Sequence, residues 1–449
     1  MHDICDGHID TKTPEALADW NAMILAFLAH GTDTPVRLKA VLDRQPDLAM
    51  AQAARGLFSM LMGRRELVDT ARDALRLARA AGPADLRTRA WTDALEHWLV
   101  GHPLRSIAAL EAALGANPRD TLTMKVIHAI RFVLGDADGM RASVERVLPY
   151  HDESHPCRGY ALGCHAFALE ETGDYQAAET AGRTGLTHAT DDAWGLHAVA
   201  HVCDMTARSQ DGIRLIDDNT GAWMHCNNFR YHVWWHKALL HLDAGETDEV
   251  LALYDTRIRD DKTDDYRDIA NATSLLMRLE LEGVAVGDRW EELASFSESR
   301  SDDGCLVFAD LHYMLALMGA EKTDETRLMV SRFTRTANPS TDMGRIYADP
   351  GRAAAAGLAA FGEGRYDDAF RALAAARPRM QTIGGSHAQR DVFDRMTVDA
   401  GLRAGHLDAA EHILLDRLAS RANRADTFTE TRRARIDAAR REALRIPAE

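Results

Sequence analysis

A short turn motif that recurs along the chain constrains its fold more than any other feature. Glycine is followed by a polar residue, a bulky residue and then alanine, most clearly in residues 173–178 and 364–369. Copies lie 34, 38 and 41 residues apart, or about twice that distance. This period indicates stacked pairs of antiparallel helices, with a left-handed glycine ending the first helix of each pair. The turn glycines are Gly101, Gly135, Gly173, Gly245, Gly364 and Gly405.

The composition favours the same fold. There are only 12 prolines in 449 residues, and helix-forming alanine, leucine, arginine and glutamate are abundant. We therefore predict an all-α solenoid of degenerate tetratricopeptide-like helix hairpins, curved, with a polar concave groove. It forms one domain over 1–449, with N-terminal repeats (15–150), histidine-rich repeats (151–260), irregular repeats (261–350) and C-terminal repeats with a cap (351–449). The tail after Arg417 predicts a capping helix with a frayed end.

Net charge and hydropathy exclude several classes of partner. A formal charge of −16 argues against nucleic acid and against an anionic membrane surface. No apolar run reaches the roughly 18–20 residues of a membrane span. The acidic N-terminus lacks the basic and apolar regions of a signal peptide, so we expect a cytoplasmic protein. The sequence leaves open whether the chain forms homo-oligomers.

Histidine is concentrated in one part of the chain, where ten of the 20 histidines lie between His151 and His241. Two His-x-x-x-His pairs stand out within this region. The i,i+4 spacing places both rings of each pair on one helix face. Histidine titrates near neutral pH and often binds transition metals, so the pairs predict a metal or acid/base site. The paired residues are His197, His201, His232 and His236.

A second motif, GGSHAQRD at residues 384–391, predicts a helix start. Ser386 is suited to be the N-cap, and Gln389 three residues later completes a capping box. The free N–H groups of the first turn, together with His387 and Arg390, would form an anion or carboxylate pocket. The alternative is that Ser386 only begins a helix and that Arg390 and Asp391 form a structural ion pair.

Three strings in the chain resemble the tetratricopeptide repeat protein 38 family. They are DAWGLHAVAH at 192–201, NFRYHVWWH at 228–236 and GGSHAQRD at 384–391, and the resemblance extends over about residues 15–420. One departure is Met277, where the family pattern has tryptophan. The resemblance implies a helical-repeat fold and carries no activity with it.

The candidate site residues all precede a predicted turn, and therefore lie on the first helices that line the concave wall. Neighbouring helices pack about 8–10 Å apart, so the two histidine pairs are expected to face one groove. The predicted catalytic residues are His197, His232, His387, Glu170 and Glu171. The predicted substrate-binding residues are Arg390, Ser386, Asp391, Trp194, Trp235 and His312. The predicted metal ligands are His197, His201, His232 and His236.

Three functional hypotheses fit this pattern. The four imidazoles can hold a divalent metal, zinc or iron, although position 198 is alanine and the HExxH motif of metalloproteases is absent. Without a metal, the histidines and carboxylates can perform hydrolase or lyase chemistry on a small anionic metabolite. In the alternative, the groove is a peptide-binding adaptor whose tryptophans contact the peptide. The partner is thus a small-molecule substrate or a peptide.

Overall fold

The computed structural model describes residues 1–82 and 84–443, and over these residues the chain is an all-α solenoid, as predicted. Consecutive helices pack side by side as antiparallel hairpins. The helices are α1 (Pro14–Leu28), α2 (Thr34–Arg44), α3 (Ala49–Leu61), α4 (Arg65–Ala80), α5 (Leu86–Leu99), α6 (Pro103–Ala116), α7 (Thr121–Val133), α8 (Ala137–Val147), α9 (Arg158–Glu171), α10 (Tyr175–His188), α11 (Ala193–Met205), α12 (Ser209–Asp218), α13 (Phe229–Asp243), α14 (Thr247–Leu253), α15 (Tyr266–Leu281), α16 (Arg289–Arg300), α17 (Val307–Gly319), α18 (Thr323–Thr336), α19 (Asp342–Ile346), α20 (Arg352–Gly362), α21 (Tyr366–Ala376), α22 (His387–Arg403), α23 (Leu407–Ser420) and α24 (Thr427–Ala443).

The turns that the sequence singled out have the expected conformation. Gly101, Gly135, Gly173, Gly245, Gly364 and Gly405 all have φ between 64° and 84°. Glycine adopts this left-handed conformation without steric cost, so each of these residues can end one helix and direct the chain into the next.

Aspartate side chains begin several of the helices near the site. Asp120, Asp174 and Asp192 each accept a hydrogen bond from the backbone N–H three residues later, at 3.1–3.4 Å. Each bond satisfies one of the donors that an α-helix leaves free in its first turn. The start of α7, α10 and α11 is thus fixed by a local side chain.

The solenoid curls until distant parts of it touch. Arg64, just before α4, pairs with Asp264, and Arg300 at the end of α16 pairs with Glu66 at 2.7 Å. Farther along, the N–H of Asp342 donates to the carbonyl of Gly101 at 2.9 Å. The predicted groove is therefore closed by contacts between repeats far apart in sequence.

Helix α11 lies at the centre of this arrangement. All of its residues from Ala193 to Met205 are buried, and it packs against α9 on one side and α13 on the other. Polar side chains on α11 consequently face neighbouring helices and not bulk water.

Regular helices also cover most of the segment predicted to be irregular. Helices α15 to α18 form two ordinary hairpins, and the short helix α19 lies near the end of the segment. The predicted cap is α24, whereas its predicted frayed end falls on residues 444–449, outside the described residues. Among the helices described, none has both the length and the apolar character needed to cross a bilayer.

Candidate functional site

Four imidazole rings from α11 and α13 meet in the interior. The Nε2 atom of His197 lies 2.8 Å from Nε2 of His201 and 3.1 Å from Nε2 of His232. The Nε2 atom of His236 lies 3.1 Å from that of His232. The predicted pairs therefore face each other, and all four Nε2 atoms point at a common centre.

These contacts cannot all be hydrogen bonds between neutral imidazoles. The Nδ1 atom of His232 lies 2.8 Å from Oδ1 of Asn271, so this nitrogen donates and Nε2 of His232 has a bare lone pair. The Nδ1 atom of His201 faces a carboxylate oxygen of Glu170 at 3.3 Å, which leaves its Nε2 bare in the same way. A single proton on Nε2 of His197 cannot serve both neighbours. A cation at the centre would satisfy every lone pair at once.

The separation of the nitrogens also fits a metal. Zinc bound to imidazole at about 2.0–2.1 Å in a tetrahedron places its ligand nitrogens about 3.3 Å apart. The observed 2.8–3.1 Å requires only a small outward shift of the rings. This group of four buried histidines can therefore hold a metal ion.

The protonation state of the rings agrees with this role. Burial lowers the pKa of His232 to about 3 and lowers the pKa of His197 and His236 well below the ordinary value. Neighbouring imidazoles lower the pKa of His197 and His236 further. Neutral imidazole is the form that binds a metal, so no proton has to be displaced from these three side chains.

A second cluster adjoins the first at His201. The Nε2 atom of His387 lies 2.5 Å from Oε1 of Glu170 and 3.5 Å from Nδ1 of His201. Burial acts to lower the pKa of His387, but the carboxylates of Glu170 and Glu171 outweigh it and raise the pKa to about 9. His387 is thus an imidazolium at neutral pH, held against a buried carboxylate.

The start of α22 has the predicted capping box. The hydroxyl of Ser386 accepts from the N–H of Gln389, whose side chain accepts from the N–H of Ser386. The anion pocket predicted at this helix start is filled by a side chain of the protein itself, because the carboxylate of Glu171 accepts from the N–H of His387 at 2.8 Å. Arg390 donates to the carbonyl of Gly385 and faces Glu171 at 3.4 Å. Ser386 and Glu171 therefore position His387.

His387 lines a cavity of about 330 Å³ between α13, α15, α22 and α23. Four aspartates also line it, and burial raises the pKa of two of them, Asp243 and Asp394. Positive charge therefore exceeds negative charge around the cavity, in a protein whose net charge is −16. The cavity-lining arginines are Arg278, Arg377, Arg390, Arg395, Arg417 and Arg421.

The remaining predicted residues have separate positions. Asp391 lines the cavity but is paired with Arg395 at 2.7 Å and with Arg417 at 2.5 Å, and Arg390 is not its partner. Trp235 is stacked on His232, with ring centroids 5.2 Å apart, and Trp194 lies against His197 at 5.1 Å. His312 is outside both clusters, and its Nδ1 donates to the carbonyl of Phe308 at 2.7 Å.

Two residues of α15 near the site were missed from the sequence. Asn271 fixes the orientation of His232, and the buried Arg278 donates to the carbonyl of Ala388 at 2.7 Å and lines the cavity. Both lie on α15, seven residues apart and so on one face. The same helix carries several other charged or hydroxyl side chains, so no local sequence pattern singles these two residues out.

A comparison with models of known protein families gives no match for this chain.

Proposed function

We propose that the protein is a metal-dependent enzyme, of the hydrolase or lyase type, that acts on a small anionic metabolite. The observation that carries this proposal is the convergence of four Nε2 atoms beside His387, which itself lines a cavity rich in arginine. The metal is zinc or iron, the ions suited to nitrogen ligands. Held by His197, His201, His232 and His236, the metal would supply Lewis-acid chemistry when bound.

The roles of the protein side chains follow from their contacts. His387 carries a proton at neutral pH and lines the cavity, so it acts as the general acid. Glu170 holds that imidazolium and also orients His201, which links the acid to the metal ligands. Arg278 and Arg390 provide positive charge for an anionic substrate.

The alternative, a peptide-binding adaptor, has less support. Trp223, Trp235 and Tyr231 are buried in helix packing and are not available to a peptide. The concave face is also closed by contacts between distant repeats. Membership in the tetratricopeptide repeat protein 38 family and a cytoplasmic location stay predictions from the sequence.

The test is a comparison of metabolite turnover. Protein loaded with zinc or ferrous iron is incubated with a fraction of anionic metabolites, and the loss of any compound is followed by mass spectrometry. Wild-type protein should consume one class of anion. His387→Gln should lower the rate by about 10²–10⁴-fold, as removal of a general acid does.

The matched control is His406→Gln. His406 also pairs with a carboxylate, that of Asp367 at 2.6 Å. It belongs to neither histidine cluster and is not among the residues that line the cavity. This variant should keep the full rate. Metal-loaded wild-type protein that consumes nothing, or a His387→Gln variant that keeps the wild-type rate, would contradict the proposed function.

A further inference from the structure

A second group of metal-binding side chains adjoins the four imidazoles. One ligand atom from each of Glu170, Glu171, His201 and His387 lies within 4.8 Å of the others. His201 belongs to both groups, but its Nε2 faces the four imidazoles. The remaining three side chains, two carboxylates and one imidazole, form a separate set of ligand atoms. The proposed function uses this set only to hold a proton.

The distances within this set suit one small cation. The Nε2 atom of His387 lies 2.5 Å from Oε1 of Glu170 and 3.6 Å from Oε1 of Glu171. Nitrogen and oxygen ligands at about 2.0–2.2 Å from zinc lie roughly 3.3–3.6 Å apart in a tetrahedral site. The contact of His387 with Glu171 already has this length. A shift of the Glu170 carboxylate away from His387 is therefore the main change that an ion requires.

One carboxylate oxygen of this set lacks a donor. The Oε2 atom of Glu170 is buried and has no hydrogen-bond partner among the described residues. The Nδ1 atom of His201 faces it at 3.3 Å, too poorly aligned for a full hydrogen bond. A buried polar atom without a partner costs free energy, and a cation bound to Glu170 would supply the missing interaction.

The set is open to the arginine-lined cavity on the side of His387. The side chain of His387 is 23% exposed, whereas those of Glu170 and Glu171 are 0% and 3% exposed. His387 is also the member of the set that lines the cavity. An ion can therefore reach the three ligands through the cavity, and water from the cavity can complete its coordination.

We propose that Glu170, Glu171 and His387 bind a second zinc ion, more weakly than the four imidazoles bind the first ion, and that the second ion inhibits the enzyme. The inhibition rests on the proposed function, in which Nε2 of His387 delivers a proton. A metal ion and a proton cannot occupy that nitrogen together, so a chain that holds the second ion has no general acid.

Three features make the second ion the weaker one. It has three protein ligands, whereas the first ion has four. It must displace the proton that His387 shares with Glu170, and metal binding in competition with a proton is weakened. The guanidinium of Arg390 also faces Glu171 at 3.4 Å and repels a cation there. Zinc should therefore fill the four imidazoles before it reaches this site.

The experiment is calorimetric titration of the metal-free, full-length protein with zinc chloride in the absence of substrate. Wild-type protein should bind one ion tightly and a second ion about tenfold or more weakly. Glu171→Gln and His387→Gln should keep the tightly bound ion. They should bind the second ion at least about tenfold more weakly than wild type, a loss that even removal of a ligand's hydrogen-bond partner causes. Retention of the tightly bound ion shows that each variant is folded.

The matched control is Glu111→Gln. Glu111 is also a partly buried glutamate that pairs with arginines, Arg131 at 3.0 Å and Arg146, but it belongs to neither group of metal-binding side chains. This variant should bind both ions as wild type does. A His197→Ala, His232→Ala double variant should lose the tightly bound ion and keep the weakly bound one, because the two sets of ligands are separate.

Inhibition is measured by metabolite turnover with protein that carries one ion. Added zinc should lower the rate, with a midpoint equal to the dissociation constant of the weakly bound ion. The midpoint for Glu171→Gln should be higher by about tenfold or more. A rate that stays constant while calorimetry shows the second ion bound would overturn the inhibition.

The second site itself is decided by calorimetry alone. A single ion per wild-type chain, or a weakly bound ion whose affinity is unchanged in both Glu171→Gln and His387→Gln, would overturn it. One-ion protein that consumes no metabolite would instead contradict the proposed function, and the calorimetric result for the second ion would still hold.

Discussion

At the scale of single residues, the orientation of each imidazole decides whether the four rings form a site. The ring of His232 is fixed by the hydrogen bond from its Nδ1 to Asn271, and the ring of His201 is held at its Nδ1 by Glu170. Partners of this kind turn the opposite nitrogen toward the metal and keep the ligand in the required tautomer. Asn271 and Glu170 therefore contribute to the metal site without being ligands themselves.

Asn271→Ala tests this assignment. Loss of the amide oxygen frees the ring of His232 and leaves its Nδ1 proton unsatisfied, so we expect metal affinity to fall by about 10–100-fold. Affinity is measured by competition with a coloured chelator. Ser274→Ala is the control, since Ser274 is equally buried on α15 but its hydroxyl only donates to the backbone carbonyl of Asn271. Equal affinities in the two variants would show that Asn271 has no positioning role.

The sequence predicted that the two histidine pairs come together, but not which side chains orient their rings. The i,i+4 spacing was sufficient to place His197 beside His201, because that contact is local to one helix. The contact between His201 and Glu170 depends on how α9 packs against α11, and ring rotation depends on partners such as Asn271 on a third helix. Neither is encoded in a local pattern.

At the scale of helices, a buried ion network joins α22, α23 and the start of α24. Arg417 on α23 donates to Asp391 on α22 and to Asp426 just before α24, at 2.5–3.1 Å. Burial acts to raise the pKa of both aspartates, but the surrounding arginines outweigh it and hold both pKa values below the ordinary range. This network fixes part of the cavity wall, since Asp391 and Arg417 both line the cavity.

Asp391→Asn should lower the free energy of unfolding by about 3 kcal/mol at pH 7, because it leaves buried guanidinium groups without their carboxylate. A depressed pKa stabilises the fold above the unfolded-state pKa of about 3.9 and is lost as pH falls. The difference from wild type should therefore shrink below about pH 4. Denaturant unfolding from pH 3 to 8 measures it.

Asp408→Asn serves as the comparison, since Asp408 also pairs with an arginine, Arg440, but its side chain is 94% exposed. Water screens such a pair, and the variant should match wild-type stability at every pH. If Asp391→Asn is as stable as Asp408→Asn at pH 7, the network does not stabilise this joint.

Two further turns were predicted near residues 209–212 and at Gly319, and the structure forms both with a residue other than glycine. The turn between α17 and α18 uses Glu321 in the left-handed conformation, with φ of 57°. The turn between α11 and α12 uses Ala207 in the same way, with φ of 55°. The helix packing imposes a conformation there that the residue type does not favour, so the glycine pattern does not identify the residue that makes each turn.

At the scale of the whole molecule, closure of the solenoid gives the site its enclosed position. The turn after α7 touches the segment that precedes α22: a β-carbon on Gly135 would lie 1.7 Å from the carbonyl oxygen of Gln381. Gly173 has the same left-handed backbone, but a β-carbon there would meet no atom within 4 Å. Alanine variants of the two glycines therefore separate the cost of a left-handed backbone from the cost of opening the contact that closes the solenoid.

Gly135→Ala and Gly173→Ala should both lose about 1–2 kcal/mol of unfolding free energy, the cost of a left-handed alanine. Gly135→Ala should lose about 1–3 kcal/mol more, because the contact with residue 381 must open. Denaturant unfolding of the two variants measures the difference. The same loss in both would mean that this contact does not hold the solenoid closed.

Closure itself could not be predicted from the sequence. The repeat period specifies how each hairpin packs on the next, whereas Arg64 and Asp264 are 200 residues apart and belong to no common motif. Small rotations summed over many hairpins decide whether the ends meet. The sequence therefore predicted a groove and left open whether it closes, and contacts between distant repeats close it in the structure.

The central claim is that the four imidazoles bind one transition-metal ion. The most direct measurement is the metal content of the purified protein, loaded with zinc or ferrous iron and freed of excess ion, by elemental mass spectrometry. We expect about one ion per chain in wild type and in His312→Gln, and less than about a tenth of that in a His197→Ala, His232→Ala double variant. Wild-type protein without stoichiometric metal, or a double variant that retains it, would contradict the account.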